Sequence, residues 1–288
     1  MKQLLILSGK GGTGKTTVAS AFIKLAQAKV YADCDVDAPN LHLALKHTGQ
    51  PKRTDFYGMP KAEINTILCA KCDRCIEDCR FDAIQVVDNN YRIDPYQCEG
   101  CGVCEMVCPV RAINLKPHIS GELMLYDKDV VFSTAQLKMG SGTSGMLVTE
   151  VKKQMKSVER GDELAIIDGS PGIGCPVIAS ISGVDMVLIV AEPSVSGISD
   201  MERIIKTAQT FHTKTVVCVN KYDTNLIKTQ AIIDYCQAQK IPYMGKIPYD
   251  RNVVEAVNQG LTLVDIFCDA GVAVQDVFGH TMEMLLKK

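Results

Sequence analysis

The 288-residue sequence has no excess of charge of either sign. Its 31 lysines and arginines against 33 acidic residues leave a formal net charge of −2, without the basic field that polyanion binding requires. Nucleic acid is therefore not an expected partner. No run approaches the roughly 18–20 consecutive apolar residues of a membrane span. The opening residues MKQLLILSG pass straight into a strand pattern, with no basic stretch, long apolar core and cleavage site of a leader. The expectation is a cytoplasmic chain with reduced cysteines, which argues against a disulfide scaffold. The five histidines, His42, His47, His118, His212 and His280, show no ligand spacing.

What is abundant is cysteine. There are thirteen, and eight fall between Cys69 and Cys108. Outside that block the texture is α/β. Apolar strands are expected at Lys2–Leu7, Val30–Asp33, Leu164–Asp168, Met186–Ala191 and Val216–Val219. Amphipathic helices are expected at Thr17–Ala28, Leu147–Val158, Ile198–Phe211 and Ile227–Ala238. Buried strands alternating with helices predict a mostly parallel sheet covered on both faces, its ligand crevice beyond the carboxyl ends of the strands. The composition divides the chain into an α/β domain, residues 1–57 and 119–288, and an inserted α+β module, residues 58–118. The module is too short for a large apolar core and needs metal centres to hold it together.

Gly9–Thr16 fits G-x4-G-K-[ST] between a strand and a helix, the context that gives this pattern its meaning. Gly11, Gly12, Thr13 and Gly14 let backbone N–H groups curl around phosphate oxygens, and the following helix adds its positive end. Lys15 is placed to reach the β and γ phosphates, Thr16 to ligate Mg²⁺, and Thr17 to complete the loop. Asp168 ends an apolar strand before a tight turn, the position from which an acid holds Mg²⁺ and senses the γ phosphate. Asp33, Asp35 and Asp37 gather after the second strand. They read either as water-mediated metal ligands or as a solvated strand end. Asn220 and Asp223, in Asn-Lys-x-Asp, read as purine ligands, with ATP and GTP both open on these residues alone.

With Lys10, the loop KGGTGKTT resembles the deviant phosphate loop of the MinD/ParA group, to which the nitrogenase iron protein also belongs. DCDVDAPNLHL and DGSPG resemble that group's two switches. The resemblance covers nearly all of the chain outside the module and is most specific to MinD-superfamily ATPases carrying an inserted ferredoxin domain. It implies ATP with Mg²⁺ and face-to-face dimers, formed with a second copy or a homologous ATPase. It further implies a Lys10 that reaches the partner's phosphates, and an Asp35 that positions the hydrolytic water. Cys175 stands where the nitrogenase iron protein has a ligand of a cluster shared between subunits. The glycine-rich segment Gly140–Gly145, which should supply the second ligand, has no cysteine, so Cys175 reads as either an interfacial ligand or a packed thiol.

The cysteine block contains two runs of C-x2-C-x2-C-x3-C, the second ending in Cys-Pro. This spacing is that of bacterial ferredoxins, in which the fourth cysteine of each run serves the other cluster. Cys69, Cys72, Cys75 and Cys108 are assigned to one [4Fe-4S] centre, and Cys98, Cys101, Cys104 and Cys79 to the second. Zinc competes for such thiolates but does not call for two runs of this form. Arg80 stands where the first run departs from the usual proline.

The expected function is a dimeric ATPase that couples nucleotide-dependent association to electron transfer or control of a redox partner. One alternative is an iron–sulfur or metal-cluster assembly carrier, as in the Mrp-type ATPases. The other is a ParA/MinD-like positioning or complex-assembly protein in which the clusters are structural or sensing. An electron donor or acceptor, or a metal-cluster protein, is the implied partner. The carboxyl-terminal segment, with Met282, Leu285 and Leu286 but only Lys287 and Lys288 as basic residues, is expected to pack on its own domain and not on a membrane.

Overall fold

The computed structural model of the chain describes residues 1–45, 47, 49–158 and 161–287. β1 (Lys2–Leu7), α1 (Lys15–Leu25), β2 (Val30–Asp33) and the short α2 (Leu41–Ala44) lead into β3 (Lys52–Tyr57). Next come β4 (Lys61–Ile64), α3 (Arg74–Glu77), β5 (Ile84–Val87), β6 (Asn90–Ile93), α4 (Val103–Val107) and β7 (Ile113–Lys116). The chain continues through β8 (Ile119–Tyr126), β9 (Val131–Leu137), α5 (Ser144–Ser157), β10 (Leu164–Asp168), α6 (Cys175–Ile181), β11 (Met186–Ala191) and α7 (Val195–Thr210). It ends with β12 (Lys214–Asn220), α8 (Leu226–Ala238), β13 (Tyr243–Ile247), α9 (Arg251–Asn258) and α10 (Asp269–Leu286).

Nine strands form one sheet in the order β13-β12-β11-β1-β10-β2-β9-β8-β3. From β13 to β9 every pairing is parallel, and β8 and β3 extend the edge antiparallel. Alternation along the strands builds a core on each face. Leu5 and Leu7 face a layer with Met155, Ile204 and Ile232, while Leu4 and Ile6 face Phe22, Val274 and Val277. Phe22 is fully buried and meets Phe278 of α10 edge-on at 5.1 Å, so its truncation to alanine should cost about 3–5 kcal/mol. That contact docks the carboxyl-terminal helix on the sheet. Among the described residues no helix is long and apolar enough to cross a membrane.

The expected strands and helices are present. The helices begin one to three residues earlier than the apolar periodicity indicates. The antiparallel edge is a departure from expectation. Lys52–Tyr57, for which no strand is expected, is an edge strand with only Phe56 buried. The chain leaves the large sheet after Tyr57 and returns at Ile119. Between them β4 pairs with β7 and β5 with β6, over a small cluster that includes Ile84, Tyr91, Ile113, Cys75 and Cys98.

Candidate nucleotide site and cysteine pockets

β1 delivers the loop Ser8–Gly14 to the carboxyl edge of the sheet, and α1 starts directly behind it at Lys15. Gly14, with φ 91°, caps the helix in a left-handed conformation. A Cβ there would lie 2.2 Å from Asn220 Nδ2, so glycine is required on both counts. Lys15 is buried and its ammonium lies 2.5 Å from Asp168 Oδ1. Thr16 Oγ1 donates to the other carboxylate oxygen of Asp168 at 2.7 Å. Burial works against the charge on Lys15, but Asp168, helped by Asp33 and Asp35, more than reverses this and holds its pKa above the ordinary lysine value. The two residues expected to contact phosphate and Mg²⁺ are thus already gathered on one carboxylate.

The three acids after β2 separate into different roles. Asp33 is fully buried; it accepts from Asp35 N, Asn40 N and Leu41 N, all at 3.0 Å. It organises the loop and does not line the pocket. Burial, then the nearby Asp168 charge, raise its pKa to about 7. Asp35 is half-buried and lines the main pocket, and burial raises its pKa as well. Asp37 is exposed. Of the three, Asp35 alone faces the cavity.

The main pocket runs from Gly11–Thr17 to a wall built by Pro248, Tyr249, Val253, Val254 and Val257. Of the Asn-Lys-x-Asp residues, Asn220 and Lys221 line this pocket and also brace it. Asn220 is buried and its amide donates to Thr13 O at 2.7 Å, and Lys221 Nζ donates to Gly12 O at 2.7 Å. Asp223 accepts from Tyr249 N at 2.7 Å. The Asn220 donor is engaged by the phosphate loop, and the Asp223 oxygen tethers the far wall. That wall was not visible in the sequence, since its apolar residues carry no distinguishing chemistry.

Residues 4–264 match the CobQ/CobB/MinD/ParA nucleotide binding domain. The chain belongs to this family. It is 31% identical to an uncharacterized protein of Methanocaldococcus jannaschii, over 98% of this chain and 97% of the relative. An uncharacterized ATP-binding protein of the same organism is 24% identical, over 99% of this chain and 90% of its own length. The fold is similar to the septum site-determining protein MinD of Pyrococcus horikoshii complexed with Mg-ADP, with a TM-score of 0.58 and 17% identity, covering 98% of this chain and 96% of that one. The chain is accordingly a nucleotide-binding ATPase of the MinD/ParA type.

In this MinD/ParA-type chain the Lys10 side chain lies against its own subunit. Its ammonium is 3.3 Å from Ser194 Oγ, 3.4 Å from Ser196 Oγ and 3.5 Å from Glu192 Oε2, at the start of α7.

The eight clustered cysteines divide between two small pockets. Cys69, Cys72, Cys75 and Cys108 line one, and Cys79, Cys98, Cys101 and Cys104 line the other. Each pocket therefore takes three cysteines from one run and the last from the other run. Burial, then the neighbouring Cys98 charge, push the Cys104 thiol up to about 11; burial and Cys69 likewise raise Cys75. Among the described residues no three His, Cys, Asp or Glu side chains are grouped to hold a single metal ion. Cys175 is exposed at the start of α6, and Cys34, Cys218 and Cys236 are buried.

Proposed function

We propose that this chain is an ATP-driven switch of the ParA/MinD kind, which associates with a second copy or a homologous chain when ATP is bound and so assembles or positions a partner complex. We further propose that residues 58–118 form a ferredoxin-like module with two [4Fe-4S] clusters, which hold the module together and report its redox state to the switch. The observation that carries the switch reading is the meeting of Lys15 and Thr16 on Asp168 beneath the phosphate loop. Lys15 binds and neutralises the β and γ phosphates. Thr16 and Asp168 are the groups that would hold Mg²⁺, which when bound supplies charge neutralisation on the phosphates. Asp35, facing the pocket, orients the water that attacks the γ-phosphoryl group.

The cluster reading is supported by the exchange of fourth cysteines between pockets, the arrangement of two-cluster ferredoxins. Four thiolates on a single zinc ion stand within about 4 Å of one another. A four-iron cluster spaces them more widely, one on each iron. A second reading, ATP-gated electron delivery, is favoured by the single small core to which both cysteine sets belong.

Protein purified anaerobically should contain about eight irons and eight sulfides per chain, and should sediment as a dimer with Mg²⁺ and a non-hydrolysable ATP analogue. Stoichiometric zinc without sulfide would remove the cluster reading. A monomer at saturating nucleotide, with no homologous chain in its source able to pair with it, would remove the switch reading. A midpoint potential that moves with nucleotide would favour electron delivery over assembly.

A further inference from the structure

We propose that the segment Lys138–Gly145 is a mechanical link between the nucleotide site and the second cysteine pocket, with Tyr96 as its contact on the module. The proposal rests on the nucleotide-switch reading and stands apart from the identity of whatever the cysteines hold.

The turn after Asp168 is fastened to the phosphate loop by Gly172 N, which donates to Ser8 O at 3.1 Å. It is fastened to the end of β2 by Ser170 Oγ, which donates to Cys34 O at 2.5 Å. That turn runs directly into α6. The first residue of α6, Cys175, lies so close to Gly145 of α5 that a Cβ on Gly145 would be 3.1 Å from Cys175 Cβ and 3.2 Å from its carbonyl oxygen. The two helices are clamped again farther along. The buried Lys152 of α5 donates to the carbonyls of Ala179, Ser180 and Ser182 at 3.1, 2.6 and 2.6 Å. A displacement of α6 therefore has to carry α5 with it.

Ahead of α5 the segment touches the module at several points. A Cβ on Gly140 would be 3.2 Å from Tyr96 Cδ1, and one on Gly142 would be 3.4 Å from Glu99 Oε2. Just beyond the module, Lys138 N donates to Ser120 O of β8 at 2.8 Å. At Gly58 a Cβ would be 2.7 Å from both Ser120 Oγ and Thr143 Oγ1, so the outgoing and returning strands of the module meet at Thr143. Glu99 lies between Cys98 and Cys101 and itself lines the second pocket. The first pocket is lined only from within residues 64–113 and shares none of these contacts. The link is therefore asymmetric: nucleotide should act on the second pocket and leave the first alone. Tyr96 is 73% exposed, so removing its ring takes away the contact without opening a core.

Hydrogen exchange of the anaerobically purified chain, with and without Mg²⁺ and a non-hydrolysable ATP analogue, tests this. Peptides spanning 8–16 report nucleotide binding. Exchange in 138–146 and 95–103 should change by about fivefold or more, the lower end of ordinary coupling, while 66–76 stays unchanged. In Tyr96→Ala most of the response of 95–103 should be lost, only the Gly142–Glu99 approach remaining, and that of 138–146 kept. A 95–103 segment indifferent to nucleotide in the wild type, or a response mostly retained in Tyr96→Ala, overturns the link. An equal response at 66–76 overturns its asymmetry. Iron and sulfide analysis of the same sample judges the clusters separately, since the exchange result is read whether or not iron is found. Unchanged exchange at 8–16 would instead strike the nucleotide reading, and the link with it.

Discussion

Lys15 and Asp168 form a buried ion pair at 2.5 Å, their side chains 5% and 0% exposed. Before nucleotide arrives, this pair is what makes a buried ammonium tolerable. Removing one member of such a pair while leaving the other typically costs about 3–5 kcal/mol. Asp168→Asn should therefore lower the stability of the nucleotide-free chain by an amount in that range. The phosphates of ATP then offer Lys15 a replacement anion, so nucleotide should raise the melting temperature of the variant more than that of the wild type. Thermal unfolding with and without nucleotide is the measurement. An Asp168→Asn chain as stable as wild type without nucleotide would show that the pair does not hold the loop. Lys15→Ala, in contrast, should lose nucleotide binding itself, because its charge is the one aimed at the β and γ oxygens.

His47 stacks on Phe132 at 4.5 Å with the rings 9° from parallel, and on Tyr126 at 4.8 Å. Its Nε2 is buried with no hydrogen-bond partner among the described residues, and Tyr31 Oη lies 3.3 Å from Nδ1. Burial, with a smaller contribution from His42, lowers its pKa to about 4 from an ordinary value of 6.5. Between those values the unfolded chain binds a proton that the native chain refuses, so stability rises with pH through this window and is lost as pH falls. A tenfold difference in proton affinity between the two states is worth about 1.4 kcal/mol, and solvent around the partly exposed residue screens some of it. His47→Phe should flatten the stability profile between pH 6.5 and 4. Identical profiles for variant and wild type in denaturant titrations would contradict a neutral, stacked imidazole.

Asn220 and Asp223 support two ends of one pocket through Thr13 and Tyr249. Asn220→Ala should loosen the phosphate loop and weaken ATP and GTP by similar factors. The lost hydrogen bond is worth about 0.5–1.5 kcal/mol and the exposed Thr13 carbonyl somewhat more. Asp223→Ala should weaken ATP modestly by freeing the wall at Tyr249, without changing the preference between purines. Competition binding with ATP and GTP decides between the roles. A selective loss of one purine in Asp223→Ala would return that carboxylate to the base.

These two residues show where sequence reading stops. Gly9–Thr16 and Asp168 were legible because their chemistry is local: a strand, a glycine loop and a helix within a short span, and an acid at the end of an apolar strand. The cysteine spacing was legible for the same reason, and the eight residues line two pockets, four in each. Which partner an amide or carboxylate chooses depends on neighbours far away in the chain, 207 residues for Asn220 and Thr13. Asp33 was read with Asp35 because both are acids at one strand end, yet burial and three backbone donors separate them. The edge strand Lys52–Tyr57 was missed because an exposed edge has no apolar alternation to read.

Lys10 supplies the last prediction. Its ammonium is held by Glu192, Ser194 and Ser196 of its own chain, whereas the family resemblance has this lysine reach the partner's phosphates. Under the proposed switch these are two states of one side chain: parked when the chain is alone, extended when two copies close on nucleotide. The parking contact is partly exposed, with Lys10 at 36% and Glu192 at 24%, and such pairs are worth about 0.2–1 kcal/mol. Two are broken in a symmetric dimer, so parking opposes closure by about 2 kcal/mol at most. Glu192→Gln should therefore tighten nucleotide-dependent association several-fold while leaving ATP affinity of the monomer close to wild type. Lys10→Ala should keep substantial ATP affinity but lose both association and most hydrolysis, because phosphates in each subunit then lack the charge from the other. Sedimentation with a non-hydrolysable ATP analogue across a concentration series reads both variants. A Lys10→Ala chain that dimerises and hydrolyses like wild type would leave Lys10 as a lysine that serves only its own loop, and Glu192→Gln should then change nothing.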